Sequence, residues 1–281
     1  MPISVPAALF QHVNSLRMPR IHLFELEDQS WFPKPIRNGI TDFLQFAVSV
    51  SDLYRPFASR LARAIDTGRV ERIVDLCAGA GGPWLELKDH VESIRNGSVS
   101  VCLTDLYPNH TAFERLKSAW RGTFGYVAEP VSATDVPSNL VGLRTLFSSF
   151  HHFRPDEAVK ILGDAVSKRQ GIAIAESTQR HPLLIAYMFL TPALVLLSSV
   201  FQKPFRWSRL FWTYVVPLVP LAVLFDGVVS CLRTYTPDEL MALVARVPDG
   251  GSYHWEAGVD RIGFLPVGVT YLVGYPRVGN I

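Results

Sequence analysis

Five short apolar runs alternate with helix-patterned stretches between residues 72 and 177, and the connections suit only crossover units. The runs are RIVDL (72–76), SVSVCLTD (98–105), a less regular one in GYVAEPVSATDVP (125–137), LRTLFSSF (143–150) and GIAIAES (171–177). PWLELKDHVESI (83–94), HTAFERLKSAW (110–120) and RPDEAVKILGDAVSKR (154–169) space their apolar residues as helices do. Parallel strands need such crossovers, so the pattern predicts a mostly parallel sheet with helices on both faces. Further on, Thr236 and Glu239 form a capping box around Pro237, and two terminal strands are expected near 252–259 and 268–275.

Two segments flank or interrupt this core. Residues 1–68 read as an N-terminal helical cap; its helical spacing over 41–65 breaks near Ser51 and Asp52, either of which would cap a second helix. The core comprises 69–181 and 233–281, and an apolar insertion occupies 182–232. The first twenty residues lack the charged start and apolar run of a secretion signal.

The turn after the first strand is CAGAGG (77–82), and ligands of open α/β sheets bind at such carboxyl ends. A dinucleotide GxGxxG pattern starting at Gly79 fails because Trp84 holds its last position, which disfavours a nicotinamide-dependent oxidoreductase. No GK[ST] follows, so it is not a phosphate-binding P-loop. VDLCAGAGG (74–82) resembles motif I of the class I S-adenosylmethionine-dependent methyltransferases, with Asp75 as its acid, Gly79 and Gly81 as two of its glycines, and Cys77 where the first glycine stands. Asp105 in CLTDLYP, Asp135 in SATDVP and LFSSFHHF match later landmarks in the same order, and the resemblance covers about residues 72–277.

That resemblance implies a Rossmann-like, seven-stranded, mostly parallel α/β sheet with an antiparallel strand in its final hairpin, and S-adenosyl-L-methionine as cofactor. It places the ribose on Asp105 beside Leu106, the methionine end along Asp75, Cys77, Ala78, Gly79 and Gly81, and the adenine near Asp135 and Val136. Tyr54, from the cap, would fold over the cofactor. A carboxylate suits the ribose because it accepts two O–H donors at once.

Three residues are candidates for the chemistry. His151 and His152 end strand four, so one of the two faces the crevice, and Glu176 ends strand five and points into the same crevice. A base is needed only where the accepting atom must lose a proton, so the histidine pair favours O-methylation over C- or N-methylation. His181 and His254 read as structural or exposed, and Glu25, Glu27 and Asp28 beside Trp31 as a solvated acidic face. No metal site is expected: the three cysteines lie far apart without CxxC spacing, which also argues against a disulfide framework and suits a reducing compartment such as the cytoplasm.

The insertion holds only Lys203, Arg206, Arg209 and Asp226 as charges in 51 residues. Three readings stand: a roof over a small hydrophobic substrate, an interfacial hairpin with Trp207, Trp212 and the three basic residues at headgroup level, and a membrane-spanning hairpin. Prolines at 182, 192, 204, 217 and 220 work against long straight helices. An exposed apolar patch would also allow a homodimer. A net charge of +2 with no polybasic run excludes a nucleic-acid footprint. The alternative to an enzyme is a membrane-associated protein that keeps the fold for binding or scaffolding.

Overall fold

The computed structural model describes residues 18–119, 122–263 and 265–277. The first 17 residues, and with them most of the segment expected not to be a secretion signal, lie outside it. Seven strands form one sheet in the order β3-β2-β1-β4-β5-β7-β6. They are β1 (Arg72–Asp75), β2 (Ser100–Leu103), β3 (Phe124–Tyr126), β4 (Leu143–Phe147), β5 (Ile172–Glu176), β6 (Tyr253–Arg261) and β7 (Gly268–Pro276). β1 to β5 pair in parallel, while β7 runs antiparallel to both β5 and β6. The mostly parallel sheet expected from the alternation, and the seven-stranded, Rossmann-like form that the resemblance implies, are therefore the architecture found.

The helices are α1 (Lys34–Ser51), α2 (Ala58–Gly68), α3 (Trp84–Arg95), α4 (His110–Ala119), α5 (Pro155–Ser167), α6 (Pro182–Met188), α7 (Thr191–Ser198), α8 (Trp207–Leu210), α9 (Leu218–Arg233) and α10 (Pro237–Val244). One apolar core joins Phe57, Leu61, Ile65, Trp84 and Phe113 to one face of the sheet. A second joins Ile161, Leu162, Leu240 and Leu243 to the other, so the central strands are buried on both faces as parallel strands require. The capping box at Thr236 forms as expected, with Glu239 reaching back to the Thr236 backbone.

Some local expectations differ. The third strand is three residues long; beyond it the chain runs as a loop with an isolated bridge between Ser132 and Asp135. Neither Ser51 nor Asp52 caps α2: Asp52 closes α1 in a left-handed conformation, and its carboxylate holds His90 Nε2 at 2.8 Å. Strand four stops at Phe147, and a short 3-10 turn over Phe150–His152 carries both histidines.

The insertion and the cap form one helical layer. Ile36, Ile40 and Phe43 of α1 pack with Val195 of α7 and with Val219, Ala222 and Val223 of α9. Arg209, which the interfacial reading sets at headgroup level, is fully buried: it donates to the carbonyls of Ser199, Gln202 and Pro204 and to Asp42 at 2.6 Å. Arg206 pairs with the same Asp42 carboxylate at 3.0 Å. Among the described residues no single helix is long and apolar enough to cross a membrane. The stretches Trp207–Val215 and Leu218–Arg233 reach that length and composition together, but they meet at an 82° bend.

Candidate functional site

β1 lies between β2 and β4, and this is where the strand order reverses. The crevice outside the carboxyl ends of the strands at such a point is the ligand position of open α/β sheets. The turn that leaves β1 there needs left-handed backbone at four of its six positions: Cys77, Gly79, Gly81 and Gly82 have φ of +55°, +54°, +108° and +56°. A Cβ on Gly81 would strike Leu116, so that glycine serves close packing on α4. A Cβ on Gly79 would meet nothing within 4 Å, so this part of the turn borders open space.

Asp105 joins the turn to the end of β2. Its Oδ2 accepts the Gly79 backbone N–H at 2.9 Å, and its Oδ1 accepts that of Tyr107 at 2.8 Å. The carboxylate is half-buried, and each oxygen keeps a further acceptor position. Ala78 donates its N–H to the Thr104 carbonyl at 3.0 Å, which fixes the turn against the same loop. From above, Gln45 of α1 donates to the Gly82 carbonyl at 3.1 Å, so the cap is tied to the turn. Leu106 is exposed at the rim. These groups fit a ligand with a diol and an amino-acid end.

Four residues matched to the cofactor do not face this crevice. Asp75 is buried under the turn, where Thr145 donates to its Oδ1 at 2.6 Å; burial raises its pKa to about 7 against the lowering effect of that bond. Its place is to back the turn. Asp135 is 86% exposed with its carboxylate held by Lys168 at 2.9 Å. Val136 is fully buried in the core on the α5 side. Tyr54 is buried edge-on against Phe147, and its hydroxyl meets Ser148 Oγ at 2.6 Å, so it floors the site rather than folding over it.

The histidines form the wall of a neighbouring cavity of about 680 Å³, mostly apolar, which does not include Gly79 or Asp105. Its walls include His151, His152, Ser148 and Ser177 from the sheet edge, Phe43 of α1, and Tyr187 and Val223 of the insertion. Crevice and cavity adjoin at Ser148 and Ser149: Cys77 of the turn has Ser149 as a side-chain neighbour.

Glu176 staples the turn that carries the pair. Its Oε1 accepts the backbone N–H of Phe150 at 2.7 Å and of His151 at 3.3 Å, and His151 Nδ1–H donates to its Oε2 at 2.5 Å. Burial alone would lower the His151 pKa, but the charge and hydrogen bond of Glu176, with Glu25, raise it to about 10. Glu176 is thus a positioning residue for His151.

The acidic stretch near the N-terminus is not a solvated face. Glu25 is buried, 3.5 Å from His151 Nε2 and 3.6 Å from His152 Nε2, while Asp28 accepts from His152 Nδ1 at 3.0 Å. Arg233, at the end of α9, pairs with both Glu25 and Asp28 at 3.1 Å and donates to the carbonyls of His151 and His152. Asp226, two turns earlier, accepts the N–H groups of Leu26 and Glu27, which threads the N-terminal segment along α9. The only sequence signal for this was that Asp226 and Arg233 are rare charges in and beside an apolar segment.

No family model matches the chain, and no curated protein does. Among solved structures it is similar to the plantazolicin methyltransferase BpumL in complex with SAH, at 12% identity over 96% of this chain and 100% of that one, with a TM-score of 0.49. It is similar to the O-methyltransferase NcsB1 from neocarzinostatin biosynthesis, at 14% identity over 86% and 58%, with a TM-score of 0.47. It is also similar to human N-acetylserotonin methyltransferase in complex with SAM, at 14% identity over 83% and 55%, with a TM-score of 0.45. No residue role is carried from these proteins to this chain.

Proposed function

We propose that the chain is an S-adenosylmethionine-dependent methyltransferase whose acceptor is a small apolar molecule with a reactive oxygen. The observation that carries this reading is the Asp105–Gly79 unit, a turn with open space beside it and a carboxylate with free acceptor positions, next to an apolar cavity whose polar wall is the histidine pair. Bound at the turn, the cofactor supplies a methyl group on a sulfonium, already activated for direct displacement. The chain's own residues do the rest. Asp105 takes the ribose hydroxyls, and Gly79 gives room to the amino-acid end. The cavity aligns the acceptor and excludes water, which lowers the barrier by orientation. Oxygen is the favoured accepting atom because the histidine pair on the cavity wall can hold and orient a hydroxyl.

The insertion supports a roof. Leu183, Tyr187 and Leu190 line the cavity and are also exposed on the outer surface, so the cavity opens there. The insertion also carries an exposed apolar belt, in which Leu197 is 72% exposed and Trp207 78%. On this reading the belt meets a lipid surface and the acceptor enters from it; a second copy of the chain on the belt would close the mouth. Flotation with phosphatidylcholine–phosphatidylglycerol vesicles tests this contact: co-flotation supports it, and a dimer that stays with the soluble fraction contradicts it.

The enzymatic reading is tested by incubating the protein with the cofactor and matched apolar alcohols, phenols and amines, with mass spectrometry of the products. Methylated alcohol or phenol supports it. Cofactor binding with no transfer to any oxygen acceptor favours the scaffold alternative.

A further inference from the structure

Glu25, His151 and His152 each offer one ligand atom, and these atoms all lie within 4.8 Å of one another. The arrangement around them is specific. Each imidazole gives its Nδ1 to a carboxylate, His151 to Glu176 at 2.5 Å and His152 to Asp28 at 3.0 Å. Each then turns its Nε2 toward Glu25, at 3.5 and 3.6 Å.

Those two separations are longer than N–H···O hydrogen bonds, which run about 2.7–3.2 Å. His151 Nε2 is buried without a hydrogen-bond partner, and Glu25 Oε1 beside it is paired with Arg233 at 3.1 Å. Around an ion with metal–ligand bonds of about 2.1 Å, tetrahedral ligands stand roughly 3.4 Å apart. Each ring nitrogen thus stands at about that span from one oxygen of Glu25, His151 from Oε1 and His152 from Oε2. Metal-bound histidines characteristically donate their other nitrogen to a carboxylate, which fixes the ring and raises its basicity. Both rings here have that partner.

Charge agrees with geometry. Glu25, Asp28 and Glu176 are the carboxylates in contact with the two rings, and Arg233, 3.1 Å from Glu25 Oε1, is the guanidinium paired with two of them. With neutral imidazoles, two negative charges remain, which a divalent cation cancels.

We infer that Glu25, His151 and His152 form a binding site for a divalent transition-metal ion, with an open coordination position toward the cavity. Two imidazoles and one carboxylate suit zinc, manganese or iron(II) rather than magnesium or calcium. That an acceptor oxygen occupies the open position rests on the methyl-transfer reading; the metal site itself does not.

The test uses the full-length protein, stripped with chelator and titrated with zinc, manganese and cobalt(II) by calorimetry, with visible absorption for cobalt. One equivalent of zinc and d–d bands for cobalt are expected. Glu25→Gln and His152→Gln should each weaken binding by about 100-fold, and Asp28→Asn by about 10–100-fold through ring orientation. Circular dichroism identifies which variants keep the fold. Asp105→Ala should leave metal binding intact while losing the cofactor, so the two readings fail separately. No stoichiometric binding by the parent chain, or equal binding by folded Glu25→Gln and His152→Gln, overturns the inference.

Discussion

The backbone N–H of Gly79 points at Oδ2 of Asp105 at 2.9 Å, so the acid after β2 and the turn after β1 are one unit. Gly79 has φ of +54° and open space where a side chain would stand. Gly79→Ala should therefore cost about 1–2 kcal/mol of stability from backbone strain. It should also weaken cofactor binding by tenfold or more, on the order expected when a methyl enters a close backbone approach. Urea denaturation and calorimetry read the two effects separately; unchanged affinity would show that the open space is not the cofactor's.

Cys77 occupies the first left-handed position of the turn at φ +55°. Cys77→Gly releases a strain of about 1–2 kcal/mol but frees the unfolded chain by about 0.4–1 kcal/mol, so stability should hold or rise slightly. Cys77→Val, β-branched, should lose roughly 2 kcal/mol. Equal stability of the two variants would contradict the strain.

Asp75 carries a pH dependence of known sign. Its folded pKa lies near 7, raised above the ordinary carboxylate value by burial, with the Thr145 bond opposing. The folded state thus holds a proton that the unfolded state has released, and the stabilisation present below about pH 4 is lost as pH rises through 7. Asp75→Asn keeps an acceptor for Thr145 and removes the titration. The stability of Asp75→Asn relative to the parent should grow by roughly 2–4 kcal/mol between pH 4 and 8. Parallel urea curves across that range would sink this assignment.

Arg209 is fully buried and leans on Asp42 at 2.6 Å across the cap–insertion boundary. Asp42→Ala leaves that guanidinium without its counter-charge and should cost about 3 kcal/mol. Trp212 packs against the apolar cluster that α1, α7 and α9 share across the same boundary, so its fluorescence during denaturation reports the loss. A change within about 0.5 kcal/mol would mean the three carbonyls alone satisfy Arg209.

Leu184 lines the acceptor cavity without touching the cofactor turn. Leu184→Trp fills part of it, so acceptor turnover should fall by at least about tenfold while cofactor affinity stays within about twofold. An equal loss of both would place the cofactor in that cavity.

The sheet was legible because strand and helix periods differ and the crossovers leave few topologies. The turn was legible because only small residues tolerate its backbone. What periodicity could not show is where a single side chain points once its loop is set. Asp135 reads like a ligand-binding acid, yet Lys168 at the end of α5 takes its carboxylate. Glu25 reads like a surface acid, yet α9 draws its segment inward through Asp226 and Arg233. Both outcomes depend on pairings more than 30 residues apart, which local pattern does not carry.

The central claim concerns the carboxylate of Asp105, and calorimetric titration of Asp105→Asn with S-adenosylhomocysteine tests it most directly. Asparagine keeps an oxygen for the Gly79 N–H, so the turn should persist while the charged acceptor for the ribose is lost. An affinity lower by about 10–100-fold, the worth of a charge-assisted hydrogen bond, is the expected result. Binding as tight as that of the parent chain would contradict the account.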